Sequence, residues 1–195
     1  MLSNILTIIL SYLFGAIPTG LIVSRAYGVD IAKMGSGNVG STNVARTLGK
    51  LPGAIVLFLD FLKGYLPAVI VAYLTDSPFI AGAAAVFGHC FSIPPLRGGK
   101  GVATSLGMLL GTIPSIGFIA IFVFFVTFAL TRMVSASSIA SATTVILSAT
   151  ICSNTTSMHI EVLPLVLASL IVIYRHHKNI ERILKGEEKA FSFAK

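Results

Sequence analysis

The sequence predicts an all-α integral membrane protein with seven transmembrane helices, its N-terminus outside and its C-terminus cytoplasmic. Three observations carry that prediction. The 195 residues are 55% hydrophobic and 11% charged, against about 25% charged in a soluble domain. Mean hydropathy is +0.92, and the apolar excess spreads along the whole chain. The Lys and Arg residues gather in alternate loops. A single membrane domain over 1–195 follows, with 175–195 as a cytoplasmic extension and no room for a soluble domain.

Apolar runs fall near 3–23, 53–74, 78–93, 101–114, 116–131, 135–152 and 161–175. The first carries no charge and has the length of a span. It lacks the basic start of a signal peptide, since the first Lys or Arg is Arg25. The stretch 101–131 reads as one over-long helix or as two split at "GTIPSIG", Gly111 to Gly117. Gly and Pro favour the split, and so does charge. With seven spans, one side holds Arg25, Lys33, Arg46, Lys50, Arg97, Lys100, Arg132 and the basic residues from Arg175 to Lys195. Lys63 alone is left inside the membrane. The opposite loops hold Asp76, His159 and Glu161. Six spans would put Arg132 and the basic C-terminus on the other side, against the positive-inside rule.

The net charge of +7 is then a property of the cytoplasmic face. It suits anionic lipid and anionic substrates. Nucleic acid is not expected, because no basic domain projects from the membrane. Cys90 and Cys152 fall at opposite faces, which excludes a disulfide and leaves two packing residues.

Three segments of that face look like chemistry. The first is "MGSGNVGSTNVAR", Met34 to Arg46. Its Gly35-x-Gly37-x-x-Gly40 has dinucleotide-fingerprint spacing, but the preceding segment is a membrane span rather than a β-strand, so that reading fails. Ser36, Asn38, Ser41, Thr42 and Asn43 are small donors and acceptors. A short helix from Ser41 or Thr42 as N-cap, after a glycine turn, is an anion site. Asn43 and Arg46 share a face at i, i+3, and Arg46 adds a forked contact to phosphate.

The second is "LRGGKGVATS", Leu96 to Ser105. Lys100 is followed by Gly101, so this is not a Walker loop. Gly98, Gly99 and Gly101 still place backbone N–H groups around one lysine at a helix start. The third is "YRHHKNIERILKGEE", Tyr174 to Glu188, continuing span seven as a helix. Ile180, Ile183 and Leu184 form a stripe, and Glu181 and Lys185 an ordinary i, i+4 pair. His176, Asn179 and Arg182 share one face. His176 could be a general base, a phosphate donor or an interfacial residue.

Asp60 and Lys63 stand at i, i+3 inside span two, as a supporting pair for the site or a clamp between helices. His89, at the end of span three, reads as a core or interfacial residue. Anionic loops over apolar spans suit an amphiphile with an anionic head and an acyl tail.

The chain resembles the bacterial membrane acyl-phosphate:glycerol-3-phosphate acyltransferases, the PlsY family. The resemblance runs nearly end to end and is carried by "SGNVGSTNVAR", "GGKGVATS", "RHHKNIERILKGEE" and "DFLKGYLP". It implies transfer of a fatty acyl group from acyl phosphate to the sn-1 hydroxyl of glycerol 3-phosphate, in the bacterial cytoplasmic membrane, giving lysophosphatidate and phosphate. The resemblance carries over Ser36, Gly37, Asn38, Ser41, Thr42, Asn43 and Arg46 in the first motif, to which the residues add Gly40. It carries over Gly98, Gly99, Lys100 and Gly101 in the second, and His176, Asn179 and Glu188 or Glu187 in the third. Ser36, Arg46, Lys100, His176 and Asn179 are the expected catalytic set. Glu187, Glu188, Asp60 and Lys63 support them, and the other motif residues bind substrate.

The run "CFSIPPLR" departs from the family pattern, which is longer and more aromatic there. The other large glycerolipid acyltransferase class uses His-x-x-x-x-Asp, and no histidine here has Asp five positions on. No cofactor, metal or obligatory protein partner is expected, and no Ser or Cys has triad partners for an acyl-enzyme. The competing classes are a transporter of a phosphorylated metabolite, for which no internal repeat is evident, a structural membrane protein, and a phosphatase.

Overall fold

The computed structural model describes residues 2–72, 78–93, 98–155 and 161–192. Asp76, His159, Lys195 and the Pro94–Arg97 part of the departing loop lie outside the described residues. The described chain folds into ten α-helices: α1 Leu2–Gly15, α2 Thr19–Ala26, α3 Ser41–Leu48, α4 Lys50–Ala72, α5 Pro78–Cys90, α6 Val102–Thr112, α7 Pro114–Thr131, α8 Val134–Thr155, α9 Val162–Arg175 and α10 His177–Leu184. A 3-10 turn, Ile31–Lys33, precedes the first glycine motif. No strand occurs among the described residues, so the segment before Gly35 lacks the context of a dinucleotide fold.

This is an all-helical integral membrane protein with several apolar spans. Four stretches have the length and hydropathy to cross a bilayer: Ile5–Ala26, Lys50–Ile70, Pro114–Thr131 and Val134–Ser153. Three shorter apolar helices, α5, α6 and α9, accompany them. The split expected within 101–131 falls at Ile113, with Pro114 at the first position of α7, where its missing N–H costs nothing.

Two expectations are corrected. The first apolar run is not one helix, because α1 ends at Gly15 and α2 begins after Pro18; proline lacks the N–H that would continue the ladder. Nor does α9 run on unbroken into the third motif: the chain turns at His176, and α10 begins at His177.

The bundle is apolar outside and partly polar inside, as a lipid solvent requires. Phe118, Phe122, Phe125 and Leu130 of α7 face outward. Met108, Ile113, Ile116 and Leu165 are buried where α6, α7 and α9 meet. Helices touch where side chains are absent. A Cβ on Gly64 of α4 would meet the carbonyl of Thr104 of α6, and one on Gly107 of α6 would meet that of Phe61 of α4. Without a hydrophobic drive between helices in lipid, such close backbone contact is what holds them. It also brings the start of α6 beside Asp60, whose carbonyl accepts from the Thr104 hydroxyl at 2.9 Å.

Candidate active site

Three segments distant in sequence meet at one end of the bundle, around a cavity of about 1020 Å³. The first is the loop 34–40. Gly35 and Gly37 take left-handed φ of 56° and 70°, open to glycine at no steric cost. The Asn43 side chain fixes this loop. Its Oδ1 accepts from the Ser36 N–H at 3.0 Å, and its Nδ2 donates to the carbonyls of Met34 at 2.9 Å and Asn38 at 2.8 Å. Asn38 Oδ1 accepts from the Gly40 N–H at 2.8 Å. Neither Ser41 nor Thr42 caps α3. Gly40 does, in extended conformation and without a side-chain hydrogen bond, so Ser41 and Thr42 become the first helical residues. Both line the cavity, as do Ser36, Asn38, Gly40, Asn43 and Arg46. Gly37 is not on its wall.

The second segment is the glycine loop. Gly101 caps α6 with φ 80° and lines the cavity with Lys100. Gly98 and Gly99 do not; they turn toward α5. The Gly99 N–H donates to the His89 carbonyl at 2.9 Å, and Cβ atoms there would strike the Cys90 carbonyl and the His89 ring. Arg175 closes the clamp, donating from Nε to Gly99 O at 3.0 Å and from Nη2 to Gly98 O at 2.9 Å. The expected nest of free N–H groups is thus reduced, because these glycines serve close packing under the loop.

The third segment supplies a hydrogen-bonded chain. Lys100 Nζ donates to Asn179 Oδ1 at 2.6 Å, and Asn179 Nδ2 donates to Glu188 Oε1 at 2.6 Å. Glu188 also accepts from Ser135 Oγ and from Arg182 Nε, each at 2.6 Å. Of the two glutamates, Glu188 is therefore in the network, while Glu187 is exposed on the cavity rim. The turn between explains why. Gly186 takes φ 71°, its N–H donates to Ile183 O, and the Glu187 N–H donates to Arg182 O. This is a complete Schellman motif; it returns the chain onto α10. His176 is 2% exposed, which is not the setting of an interfacial residue. Its Nδ1 lies 2.7 Å from the Val172 carbonyl. A carbonyl only accepts, so Nδ1 carries the proton and Nε2 keeps its lone pair.

The electrostatics follow from burial and neighbours. Burial pushes the Lys100 ammonium down to about 8, with Glu188 pulling it up and Arg182, Arg46 and Arg175 pushing it further down. Burial, then Lys100, push His176 down to about 4, so it is neutral at physiological pH. Burial pushes the Glu188 carboxyl up, but hydrogen bonds from Ser135, Asn179 and Arg182 outweigh it and hold it below its ordinary value.

Behind the glycine loop lies the buried pair. Lys63 Nζ donates to Asp60 Oδ1 at 2.6 Å and to Thr19 Oγ1 at 2.8 Å, and the Thr19 hydroxyl donates to the same carboxylate oxygen. His89 Nδ1 is 3.6 Å from Asp60. Asp60 reaches the cavity wall; Lys63 does not. Breaking such a buried pair by removing one partner costs about 3–5 kcal/mol.

From this polar end the cavity continues along α6 and α8, past Leu57, Leu109, Ala120, Phe124 and Val145. Gly101 to Leu109 is about 12 Å of helix. Ser138 and Ser141 also line this part, but their hydroxyls donate to the Val134 and Ala120 carbonyls. Apart from Ser105, whose hydroxyl has no partner among the described residues, the groove therefore offers apolar surface to a chain.

Sequence reading missed four residues of the site. Arg175 was assigned to topology alone, although its neighbour His176 was singled out. Thr19, Ser135 and Phe191 have partners at least 41 positions away, and no local pattern marks them. Among the described residues no group of three His, Cys, Asp or Glu is arranged for a metal ion.

The family model described as "Glycerol-3-phosphate acyltransferase" matches residues 5–186. A glycerol-3-phosphate acyltransferase of Limosilactobacillus reuteri is 42% identical over 194 residues, covering 95% of this chain and 90% of that protein. One from Aquifex aeolicus is 39% identical, covering 94% and 97%. Among solved structures, the crystal structure of PlsY (YgiH), an integral membrane glycerol 3-phosphate acyltransferase, in its glycerol 3-phosphate form superposes with a TM-score of 0.89. It is 36% identical and the match covers 97% of this chain and 96% of that one. The lysophosphatidic acid form gives 0.86.

An anion-binding role for Lys100 requires its protonated form, which gives a test. Affinity for inorganic phosphate, measured by titration calorimetry between about pH 7 and 10, falls as pH rises through about 8. Glu188→Gln removes the upward pull on Lys100 and moves that loss to lower pH. An unmoved pH dependence in the variant would show that Lys100 does not bind the anion.

Proposed function

The chain belongs to the glycerol-3-phosphate acyltransferase family, and from that premise we propose that it transfers a fatty acyl group from acyl phosphate to the sn-1 hydroxyl of glycerol 3-phosphate. Lysophosphatidate and inorganic phosphate are the products. The observation that supports this reading best is one cavity with two characters. Arg46 and Lys100 stand at its polar end, and an apolar groove runs beneath them between α4, α6, α7 and α8. An acyl phosphate is an anion joined to a chain, and that cavity has a place for each. A transporter of a phosphorylated metabolite has no need of the groove.

Acyl phosphate is a mixed anhydride with a good leaving group, so orientation and charge stabilisation are the enzyme's main work. The sn-1 oxygen forms a bond to the acyl carbon, the bond from that carbon to the phosphate oxygen breaks, and phosphate leaves. Arg46 and Lys100 neutralise phosphate charge. Asn179 gives one of its two amide protons to Glu188 and its Oδ1 accepts from Lys100, leaving one N–H as a second donor to the site. Lys100 gives one of its three protons to Asn179, and its other two are available to the developing oxyanion. Ser36 Oγ accepts from the Asn38 N–H at 3.4 Å, which leaves its own proton for a phosphate oxygen.

The hydroxyl proton goes to a phosphate oxygen of the substrate. A base works best with a pKa near the operating pH. His176, at about 4, is further from it than a phosphate monoester, whose second pKa is about 6. His176 orients the acceptor through its Nε2 lone pair.

We further propose that the seven apolar segments each cross the bacterial cytoplasmic membrane, with the N-terminus outside and the three motifs on the cytoplasmic side. The distribution of Lys and Arg supports that orientation.

Purified protein given palmitoyl phosphate is expected to release phosphate only with glycerol 3-phosphate present, and to form lysophosphatidate in equal amount. Release without the acceptor would make it a phosphatase. His176→Gln is expected to keep more than about one hundredth of kcat, since an obligatory base contributes about 10²–10⁴-fold; a loss near the upper end with substrate binding intact would return the base role to His176. In intact cells an impermeant maleimide is expected to label Asp76→Cys and not Lys185→Cys. The opposite pattern would invert the topology.

A further inference from the structure

We propose that the segment after α10 is a strap that positions Arg46, with Phe191 as its anchor. This rests on the acyltransferase reading, in which Arg46 receives a substrate phosphate. The strap starts where the Gly186 turn sends the chain back and Glu188 is pinned by Ser135, Asn179 and Arg182. The next residues reach Arg46 of α3. Its Nη2 donates to the carbonyls of Lys189 at 3.5 Å and Ala190 at 3.4 Å. Its guanidinium lies over the Phe191 ring, 5.3 Å from the centroid.

Phe191 is itself held from two sides. Its ring packs edge-on against Phe128 of α7, with centroids 6.3 Å apart. Its N–H donates to the Arg132 carbonyl at 2.8 Å. Arg132 joins α7 to α8 and, among the described residues, is the one non-glycine with positive φ, 58°. Left-handed backbone is strained for a residue with a side chain. Here the strained residue is the one whose carbonyl receives the strap.

The partners matter for what they are not. Carbonyl oxygens and an aromatic face hold a guanidinium in place without cancelling its charge, whereas a carboxylate would. The nearby carboxylate, Glu188, is engaged by Arg182 instead. The arginine at the cavity mouth is thus pre-oriented and still cationic, so an arriving phosphate meets a fixed fork and less side-chain freedom is lost on binding. The carbonyl contacts are long and yield readily to a phosphate oxygen. Phe191 is a positioning residue in this arrangement.

The decisive variant is Phe191→Leu, which keeps an apolar anchor against Phe128 and removes the aromatic face. It is expected to raise one substrate KM about three- to tenfold, the range of about 1 kcal/mol, with kcat within about twofold. The same KM rises in Arg46→Lys, and adding Phe191→Leu to Arg46→Lys raises it no further. Phe191→Trp restores the wild-type value. Unchanged KM values, a fall in kcat alone, or additive effects in the double variant would overturn the strap. Affinity for inorganic phosphate, measured on the same detergent-purified proteins, is expected to fall by the same factor in Phe191→Leu. That measurement decides the strap even if the wild type forms no lysophosphatidate, a result that would count against the acyltransferase reading alone.

Discussion

The site depends on one carboxylate. Glu188 accepts hydrogen bonds from Ser135 of α8 and from Asn179 and Arg182 of α10. Through Asn179 it reaches Lys100 at the start of α6. Three parts of the chain distant in sequence, α6, α8 and α10 with its following turn, are thereby fixed relative to one another. Burial raises the pKa of this carboxylate, and the donors around it hold it below its ordinary value. Without it the Asn179 amide would lose an acceptor and Lys100 its one attractive charge. The turn at Gly186 exists to deliver it: only a left-handed residue reverses α10 tightly enough to bring residue 188 back to residue 179.

A second polar centre explains why the glycine loop has a fixed shape inside an apolar bundle. Asp60, Lys63, Thr19 and His89 form a buried knot, and the Thr104 hydroxyl ties the Asp60 carbonyl to α6. The break at Pro18 is what brings Thr19 to it. A continuous helix there would have left α1 and α2 as a plain span. Gly98 and Gly99 rest against His89 and Cys90 from one side and are gripped by Arg175 from the other. Their absence of side chains permits that closeness, which sets where Lys100 stands.

How much of this was legible follows from where each partner lies. Composition, hydropathy and loop charge identified a helical membrane protein, and Gly and Pro marked the break at Ile113. The three motifs were visible because each is a local cluster of unusual residue types. The cavity walls bear Ser36, Arg46, Lys100, His176 and Asn179 together. Sequence could not separate residues that line the cavity from residues that build it. Gly99 belongs to the same motif as Lys100 yet packs beneath the loop, and Asn43, on the cavity wall with Arg46, has its amide taken up by the backbone of its own loop. Nor could it find Phe191 or Ser135, whose roles arise only when α8 and the chain after α10 are brought together. The helix breaks at Pro18 and His176 were hidden under continuous apolar or amphipathic patterns, since periodicity reports a face and not a bend.

The charged groups around Lys100 are mostly of one sign. Around Lys100, the charges of Arg182, Arg46 and Arg175 all disfavour its protonation, and Glu188 alone favours it. Burial is the larger cause of the lowered Lys100 value, and this excess of one sign adds to it. Each anionic oxygen that enters reverses the balance, raising the ammonium toward its ordinary range and relieving repulsion among the guanidinium groups. An anion at Lys100 therefore offsets both the burial of its charge and the repulsion from its arginine neighbours. In the proposed reaction both substrates carry a phosphate, and a cluster with this excess of positive charge suits two anions held together.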